Sequence, residues 1–335
     1  MKITICGGGS LGHVCIGVLS SRSDVTVRLL TNHPQKWKSQ ITVTDVNGTE
    51  YKGKLEKITS NPQEVIPDSD IVLFCLPGFL IEQTLEQIKP FLNNRTVVAS
   101  IVSSTGFFFF AHKVLGTAAK IFGFQRVPFI ARVSEYGQSA NLLGYKPNLA
   151  IAAENIENEE TFVELVGRLF KTPTKLLGSF YEACLTNSNP ILHTGRLYSM
   201  WHDWNGTPYD HCTLFYKEWT EDAAQWLIDM DAEFMQLLKL LPMNQGAVPS
   251  LLEYYESVDA KSLASKLASI KAFQTIKSPM KEVENGWVPD FESRYFTEDF
   301  PFGLRFIVDL ARKYNVKTPK IDIVYNWGMS KCEHK

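Results

Sequence analysis

The 335-residue chain is short of several features that would mark other classes of protein. Its six cysteines (Cys6, Cys15, Cys75, Cys184, Cys212, Cys332) show no Cys-x-x-Cys spacing and no regular pairing. They read as ordinary thiols of a reducing compartment, not as a disulfide framework or a zinc site. Charge of one sign is missing too: 34 Lys+Arg against 36 Asp+Glu leave a formal net charge of −2 with no long block of either. The basic stripe of a nucleic-acid binder is therefore absent. The longest apolar stretch, Ile71 to Ile81, carries Pro77 and Gly78 and is too short to span a bilayer, so no membrane partner is expected. Met1-Lys2 runs straight into the strand-like Ile3–Cys6 without the apolar region of a secretory leader, which predicts a cytoplasmic protein. His202 and His211, set among Asp203, Asp210 and Cys212, match no metal-ligand spacing, and no metal is expected.

What is present is an ordinary globular composition, with 44% hydrophobic and 21% charged residues. At roughly 100–200 residues per domain, the length suggests two domains. The first half alternates strand-like runs (Lys2–Cys6, Val25–Leu30, Ile71–Leu76, Thr96–Ile101, Leu149–Ala153) with helix candidates (Leu11–Ser20, Leu80–Leu92, Phe107–Leu115, Glu159–Phe170). That rhythm predicts an α/β fold, a Rossmann-type doubly wound parallel sheet over residues 1–178. After Gly178-Ser179 only helical periodicity is found (Tyr181–Met200, Thr220–Leu241, Ser262–Ala272, Phe302–Tyr314), which predicts an all-helical domain over residues 179–335.

Gly7-Gly8-Gly9-Ser10-Leu11-Gly12 satisfies G-x-G-x-x-G between a strand and a helix. Gly7 suits the tight turn, Gly9 the approach of backbone to a pyrophosphate, and Gly12 close helix–strand packing, while Ser10 and Leu11 open the helix whose free N–H groups attract phosphate. An NAD-type site commonly ends its second strand in Asp or Glu to hold a ribose. Here Leu29-Leu30-Thr31-Asn32-His33 has no acid. Thr31, Asn32, His33 and Lys36, with Arg28 as a more distant candidate, suit a 2′-phosphate, so the expectation leans to NADP with NAD as the alternative. Leu76 and Pro77, and one strand later Ser103–Gly106, are candidate walls of the same site because they follow the carboxyl ends of strands.

In the helical half, Asn187-Ser188-Asn189-Pro190-Ile191-Leu192-His193 offers an imidazole whose unperturbed pKa of about 6.5 suits proton transfer near neutrality. Asn189 lies four residues earlier, on the same helical face if the helix survives Pro190. Farther on, Arg294-Tyr295-Phe296-Thr297-Glu298-Asp299 supplies a guanidinium fork for a carboxylate and an acid able to orient an imidazole. Asp299, before Phe300-Pro301, equally suits a helix N-cap, and Arg294 a surface ion pair with Glu292 or Glu298.

Four stretches together, namely Cys6–His13, Val27–Thr31, Asn187–His193 and Arg294–Asp299, resemble the octopine/nopaline (opine) dehydrogenase family across nearly the whole chain. The resemblance implies that His193 is the catalytic acid/base with Asp299 as its partner, and that Arg294 binds the carboxylate of a keto acid. It further implies reductive condensation of an α-keto acid such as pyruvate with the amino group of an amino acid, using NADH or NADPH. A monomer or homodimer is expected. Thr194 stands where a proline is common in the family, and Ser250-Leu251 where a bulky aromatic can occur, so the amine is left open. Two alternatives also stay open: a keto-acid reductase that needs no amine, and a dinucleotide-binding sensor without turnover. Ketopantoate reductases, which share this architecture, use a lysine four residues before the motif asparagine, and here that position is Ala183.

Overall fold

The computed structural model describes residues 1–332, which form two compact units, Met1–Cys184 and the part from Leu185 onward. In the first unit β1 (Lys2–Cys6) leads into α1 (Ser10–Ser20) and β2 (Thr26–Leu30). The hairpin β3 (Gln40–Asp45) and β4 (Glu50–Thr59) precedes β5 (Ile71–Phe74), α2 (Gly78–Ile88), β6 (Val97–Ser100), α3 (Phe107–Leu115) and β7 (Ile121–Phe124). A second hairpin, β8 (Phe129–Glu135) and β9 (Ser139–Tyr145), is followed by β10 (Leu149–Glu154), α4 (Glu159–Phe170), β11 (Thr174–Leu176) and α5 (Phe180–Cys184).

These strands join one sheet in the order β11-β10-β7-β6-β5-β1-β2-β4-β3-β9-β8. From β7 to β4 every neighbouring pair is parallel, giving the doubly wound centre. β5 is buried along its whole length, as a strand covered on both faces must be. Beyond that centre the sheet turns mixed, with β10 antiparallel to β7, β3 to β4, and β8 to β9. The two hairpins lie outside the sequence reading. β4 does alternate, with Tyr51, Gly53 and Leu55 buried between exposed Lys52, Lys54 and Glu56, but its lysines and glycine carry low strand propensity. The unit ends at Cys184, a few residues past the break in the sequence pattern, because α5 packs on it. Phe180 stacks on Phe108 at 5.4 Å, and Gln125 donates to the Glu182 carbonyl at 2.8 Å.

The second unit opens with a π-helical turn, Ser188–His193, continuous with α6 (Thr194–Trp201). It continues through α7 (Glu221–Leu238), α8 (Leu251–Tyr254) and α9 (Ala260–Ser269). A two-stranded hairpin, β12 (Met280–Val283) with β13 (Gly286–Pro289), departs from the all-helical expectation. Its strands are four residues each, β12 mostly exposed and β13 half-buried, too short to show a period. After it come α10 (Arg294–Thr297), a second π-helical turn (Phe300–Leu304), α11 (Arg305–Lys313) and α12 (Pro319–Cys332). Buried aromatic rings knit this unit together: Phe296 stacks between Trp201 at 6.2 Å and Phe300 at 5.4 Å. Among the described residues no helix is long and apolar enough to cross a membrane.

Candidate active site

The first candidate site lies where the strand order turns from β5 through β1 to β2, the switch point at which open α/β sheets bind ligands. Gly7 takes φ +113°, and a Cβ there would stand 2.5 Å from the Cys75 carbonyl oxygen. Gly12 brings α1 against the loop, since a Cβ on it would strike the Gly7 carbonyl. A Cβ on Gly9, in contrast, would meet no atom within 4 Å. Gly7, Gly8 and Gly9 face a groove of about 380 Å³, closed on its other sides by Thr31–His33, Cys75–Pro77, the α2 side chains Gln83, Thr84 and Gln87, and Tyr136. No carboxylate lines it, and the first turn of α1 carries no acid. An open backbone cradle, free helix N–H groups and no negative charge fit the pyrophosphate of a dinucleotide.

Of the residues singled out in the sequence, Gly7, Gly9, Thr31, Asn32, Leu76 and Pro77 line the groove, whereas Ser10, Leu11 and Gly12 do not. The Ser10 hydroxyl accepts from the Val133 backbone N–H at 3.2 Å, Leu11 packs on the core, and Gly12 is buried behind the loop. Ser103–Thr105 forms a short turn away from the groove wall, as does Lys36 in the turn after β2. Arg28 is removed from the candidates for a 2′-phosphate. Its guanidinium is buried between Glu56, at 2.5 Å, and Asp68, which raise its pKa further, and together with Lys2 it holds the Asp68 carboxyl well below the usual range. His33 remains as the imidazole at that end of the groove.

Three side chains here have no role in the sequence reading: His13, Trp37 and Tyr136. His13, fully buried one turn into α1, lies 2.9 Å from the Gly9 carbonyl through Nδ1 and 2.7 Å from the Gly137 N–H through Nε2. A carbonyl only accepts and a backbone N–H only donates, so the ring is neutral with its proton on Nδ1. Burial lowers its pKa accordingly. Its ring stacks on Trp37 at 4.2 Å, and Tyr136, in the β8–β9 turn, closes the cluster edge-on at 5.2 Å.

The second site lies in the helical unit, where the two π-helical turns meet. Both contain a proline, Pro190 and Pro301, whose missing N–H interrupts α-type bonding. Each makes an i→i+5 bond instead, Leu192 N–H to Asn187 O at 3.1 Å and Leu304 N–H to Asp299 O at 2.8 Å. Such turns recur at functional sites. Gly303 faces Pro190, with room for a Cβ only 3.2 Å from the ring, and this close approach sets His193 against Asp299. Nδ1 of His193 donates to Asp299 Oδ2 at 2.8 Å. Asp299 makes no side-chain capping bond, so its carboxylate serves the imidazole and not the helix end. Phe215 meets the imidazole edge-on at 5.4 Å, and Tyr295 packs against it at a tilt, 4.9 Å away. Both partners keep about 15% of their side-chain surface exposed, 16% for His193 and 15% for Asp299, so the pair is walled but reachable.

Arg294, at the start of α10, is exposed and adjoins Tyr295. Glu292 is taken by Lys281 at 2.8 Å, and among the described residues no ion pair engages the Arg294 guanidinium. Asn189 is exposed on the first π-helical turn. Asn187 is not available to a ligand: its amide donates to the buried Asp231 and to the Pro249 carbonyl, both at 2.8 Å. Burial raises the Asp231 pKa, and its second oxygen accepts from Leu251 N–H at 2.7 Å, fixing α8 in place. His211 lies 3.0 Å from Glu218 and His202 bonds the Tyr198 carbonyl. Among the described residues no group of three potential metal ligands occurs. Sequence reading missed Tyr216, whose hydroxyl is 3.2 Å from His193 Nε2.

A Rossmann-type sheet with an open glycine cradle, followed in the same chain by a helical unit bearing a histidine–carboxylate pair, defines an NAD(P)-dependent dehydrogenase. Residues 176–332 match the family described as NAD/NADP octopine/nopaline dehydrogenase, alpha-helical domain, and residues 3–106 match Ketopantoate reductase PanE/ApbA. The helical unit thus matches the octopine/nopaline dehydrogenase family, the whole chain is similar to opine dehydrogenases, and it is an NAD(P)-dependent oxidoreductase of the class acting on CH–NH bonds. It is 29% identical to the opine dehydrogenase of Haliotis discus hannai, over 98% of this chain and 89% of that one. Octopine dehydrogenase with NADH and L-arginine superposes with a TM-score of 0.87 at 26% identity, covering 99% of this chain and 89% of the other. The same enzyme with NADH and pyruvate gives 0.87 at 25% identity with equal coverage.

Proposed function

We propose that this chain reductively condenses a pyruvate-like α-keto acid with the amino group of an amino acid, with His193 as acid/base, Asp299 as its orienting partner and Arg294 as the clamp for the keto-acid carboxylate. The observation that carries the reading is the 2.8 Å His193–Asp299 contact, built by two proline-containing turns more than a hundred residues apart in sequence. The relatives' complexes with pyruvate and L-arginine support the substrate class.

The residues divide the work as follows. Asp299 fixes the imidazole tautomer, leaving Nε2 as the atom that exchanges protons, and stabilises the imidazolium. The exposed Arg294 fork matches a planar carboxylate through two parallel bonds. Protonated at Nε2, His193 polarises the keto oxygen while the amine nitrogen places its lone pair on the keto carbon. Nε2 gives its proton to that oxygen, takes one back from the newly bonded nitrogen and passes it to the hydroxyl, so that the oxygen leaves as water and a protonated imine forms. The nicotinamide, when bound at the glycine loop, supplies the hydride that reduces the imine carbon. Overall, one proton accompanies the hydride and one water is released. Much of the rate then comes from holding the two reactants in register, because the imine is scarce in water. Asn189 offers a polar contact beside them. With no acid at the end of β2 and His33 nearby, either dinucleotide fits, and NADPH is favoured.

The test is oxidation of NADPH and NADH by purified protein with pyruvate, alone and with pooled amino acids. Turnover only when amine is present supports the reading. Turnover with pyruvate alone replaces it with a simple reductase, and tight cofactor binding with no turnover in any pool replaces it with a sensor. The clamp is tested separately: Arg294→Lys raises KM for the keto acid by about tenfold or more and leaves KM for the amine nearly unchanged, since an ammonium cannot reproduce the fork. Equal effects on both would move the clamp elsewhere.

A further inference from the structure

Nε2 of His193, the atom assigned to proton exchange, already has a protein partner. Tyr216 is 8% exposed, and its hydroxyl lies 3.2 Å from that nitrogen while Asp299 holds the other at 2.8 Å. At 3.2 Å the contact is looser than a usual O–H bond, which suits a partner that must share the nitrogen with substrate.

The segment carrying Tyr216 is anchored to the helix that follows the histidine. Three residues after His193, the buried Arg196 donates through Nε to the Phe215 carbonyl at 3.2 Å and through Nη2 to the Glu218 carbonyl at 2.7 Å. Its guanidinium lies over Trp219 at 4.9 Å, and burial lowers its pKa to about 10. A cation buried mainly on backbone carbonyls is costly, and here it serves to pin the two ends of the Phe215–Glu218 turn. Phe273 then supports the tyrosine ring at 4.7 Å. The titratable groups around the imidazole are Asp299, Tyr216 and Tyr295, with Tyr255 beyond Tyr216, and burial raises the pKa of both Tyr216 and Tyr295. The phenol is therefore a neutral hydroxyl throughout the working range.

We propose that Tyr216 is a positioning residue for the reaction, its hydroxyl completing a Tyr216–His193–Asp299 chain that steers Nε2 and stabilises its protonated form. Facing neutral imidazole, the hydroxyl donates to the Nε2 lone pair. Facing imidazolium, it turns and accepts the Nε2 proton. The second bond is charge-assisted and stronger, so the hydroxyl favours the acid form that the keto oxygen requires. The proposal rests on the role given to His193 above and adds a third member to it.

Tyr216→Phe in the full chain tests it. The expected result is a fall in kcat of about tenfold with KM values nearly unchanged, matching the loss of one hydrogen bond to a charged group. The pH at which the reductive rate declines also moves lower, while melting temperature and cofactor binding stay as in the wild type. Wild-type kcat and an unmoved pH profile in the variant would overturn the proposal. Should the variant fail to fold, ¹⁵N NMR of the labelled wild-type protein decides: a hydrogen-bonded Nε2 supports the chain, and a free lone pair refutes it. Wild-type turnover that survives His193→Ala would instead refute the acid/base role itself, so the two failures are distinct.

Discussion

Replacing His193 with alanine lowers kcat by about 10²–10⁴-fold, the range typical of a lost general acid/base, and leaves dinucleotide affinity intact. The affinity is preserved because the glycine loop and its groove belong entirely to the first unit. Asp299→Asn keeps the shape of the partner but removes its charge, and the expected loss is smaller, about 10–100-fold. The two residues act as one device, so the double variant is no slower than His193→Ala alone. Steady-state kinetics of the three variants, with cofactor affinity read by fluorescence titration, check this. Additive losses would mean that the 2.8 Å contact holds the fold and not the chemistry. Near wild-type turnover in His193→Ala would sink the assignment.

The second large effect separates two glycines of one motif. Gly9 has an extended backbone at φ −78°, ψ −175°, and a side chain there meets nothing. Gly9→Val therefore folds with an unchanged melting temperature, yet projects two methyl groups where a dinucleotide backbone must pass. Affinity for NAD(P)H falls by about 10–100-fold, the equivalent of about 1–3 kcal/mol of overpacking. Gly12→Ala behaves in the opposite way. Its methyl collides with the Gly7 carbonyl, so the cost appears first in stability, about 1–3 kcal/mol. Thermal melts and titrations with both cofactors distinguish them. A Gly9→Val protein that binds normally would place the pyrophosphate off this loop.

These contrasts show how far a sequence can be read. The parallel centre was legible because β5 is a continuous apolar run and its neighbours β1 and β6 are short strands rich in β-branched and apolar residues, and the glycine loop because its spacing is imposed by backbone geometry. The β3–β4 hairpin was not, since Lys52, Gly53 and Lys54 disguise an alternating strand. In the helical unit, His193 and Asp299 stood out as residue types able to do the chemistry, but not the π-helical turns that bring them together. That geometry depends on Gly303 lying against Pro190, a contact with no local signature. Tyr216 lies in Phe215–Trp219, a stretch that looks like plain aromatic core. Only the fold places its hydroxyl on the imidazole. Arg28 illustrates the reverse error: its chemistry suited a phosphate, while Glu56 and Asp68 had already claimed it.

His13 gives the cofactor loop a limit of its own in acid. Its ring joins the Gly9 carbonyl to the Gly137 N–H only while neutral, because a proton on Nε2 would point at another donor. Burial depresses its pKa in the folded state, whereas in the unfolded chain it titrates near 6.5. The unfolded form thus takes up the proton first. The stability this ring contributes is whole above that pH and drains away as the pH falls toward the folded value. The hairpin that carries Tyr136 is then unlatched from the loop beneath it. Acid would loosen the grip on the nucleotide by a route that never passes through His193, and the two units would fail for separate reasons.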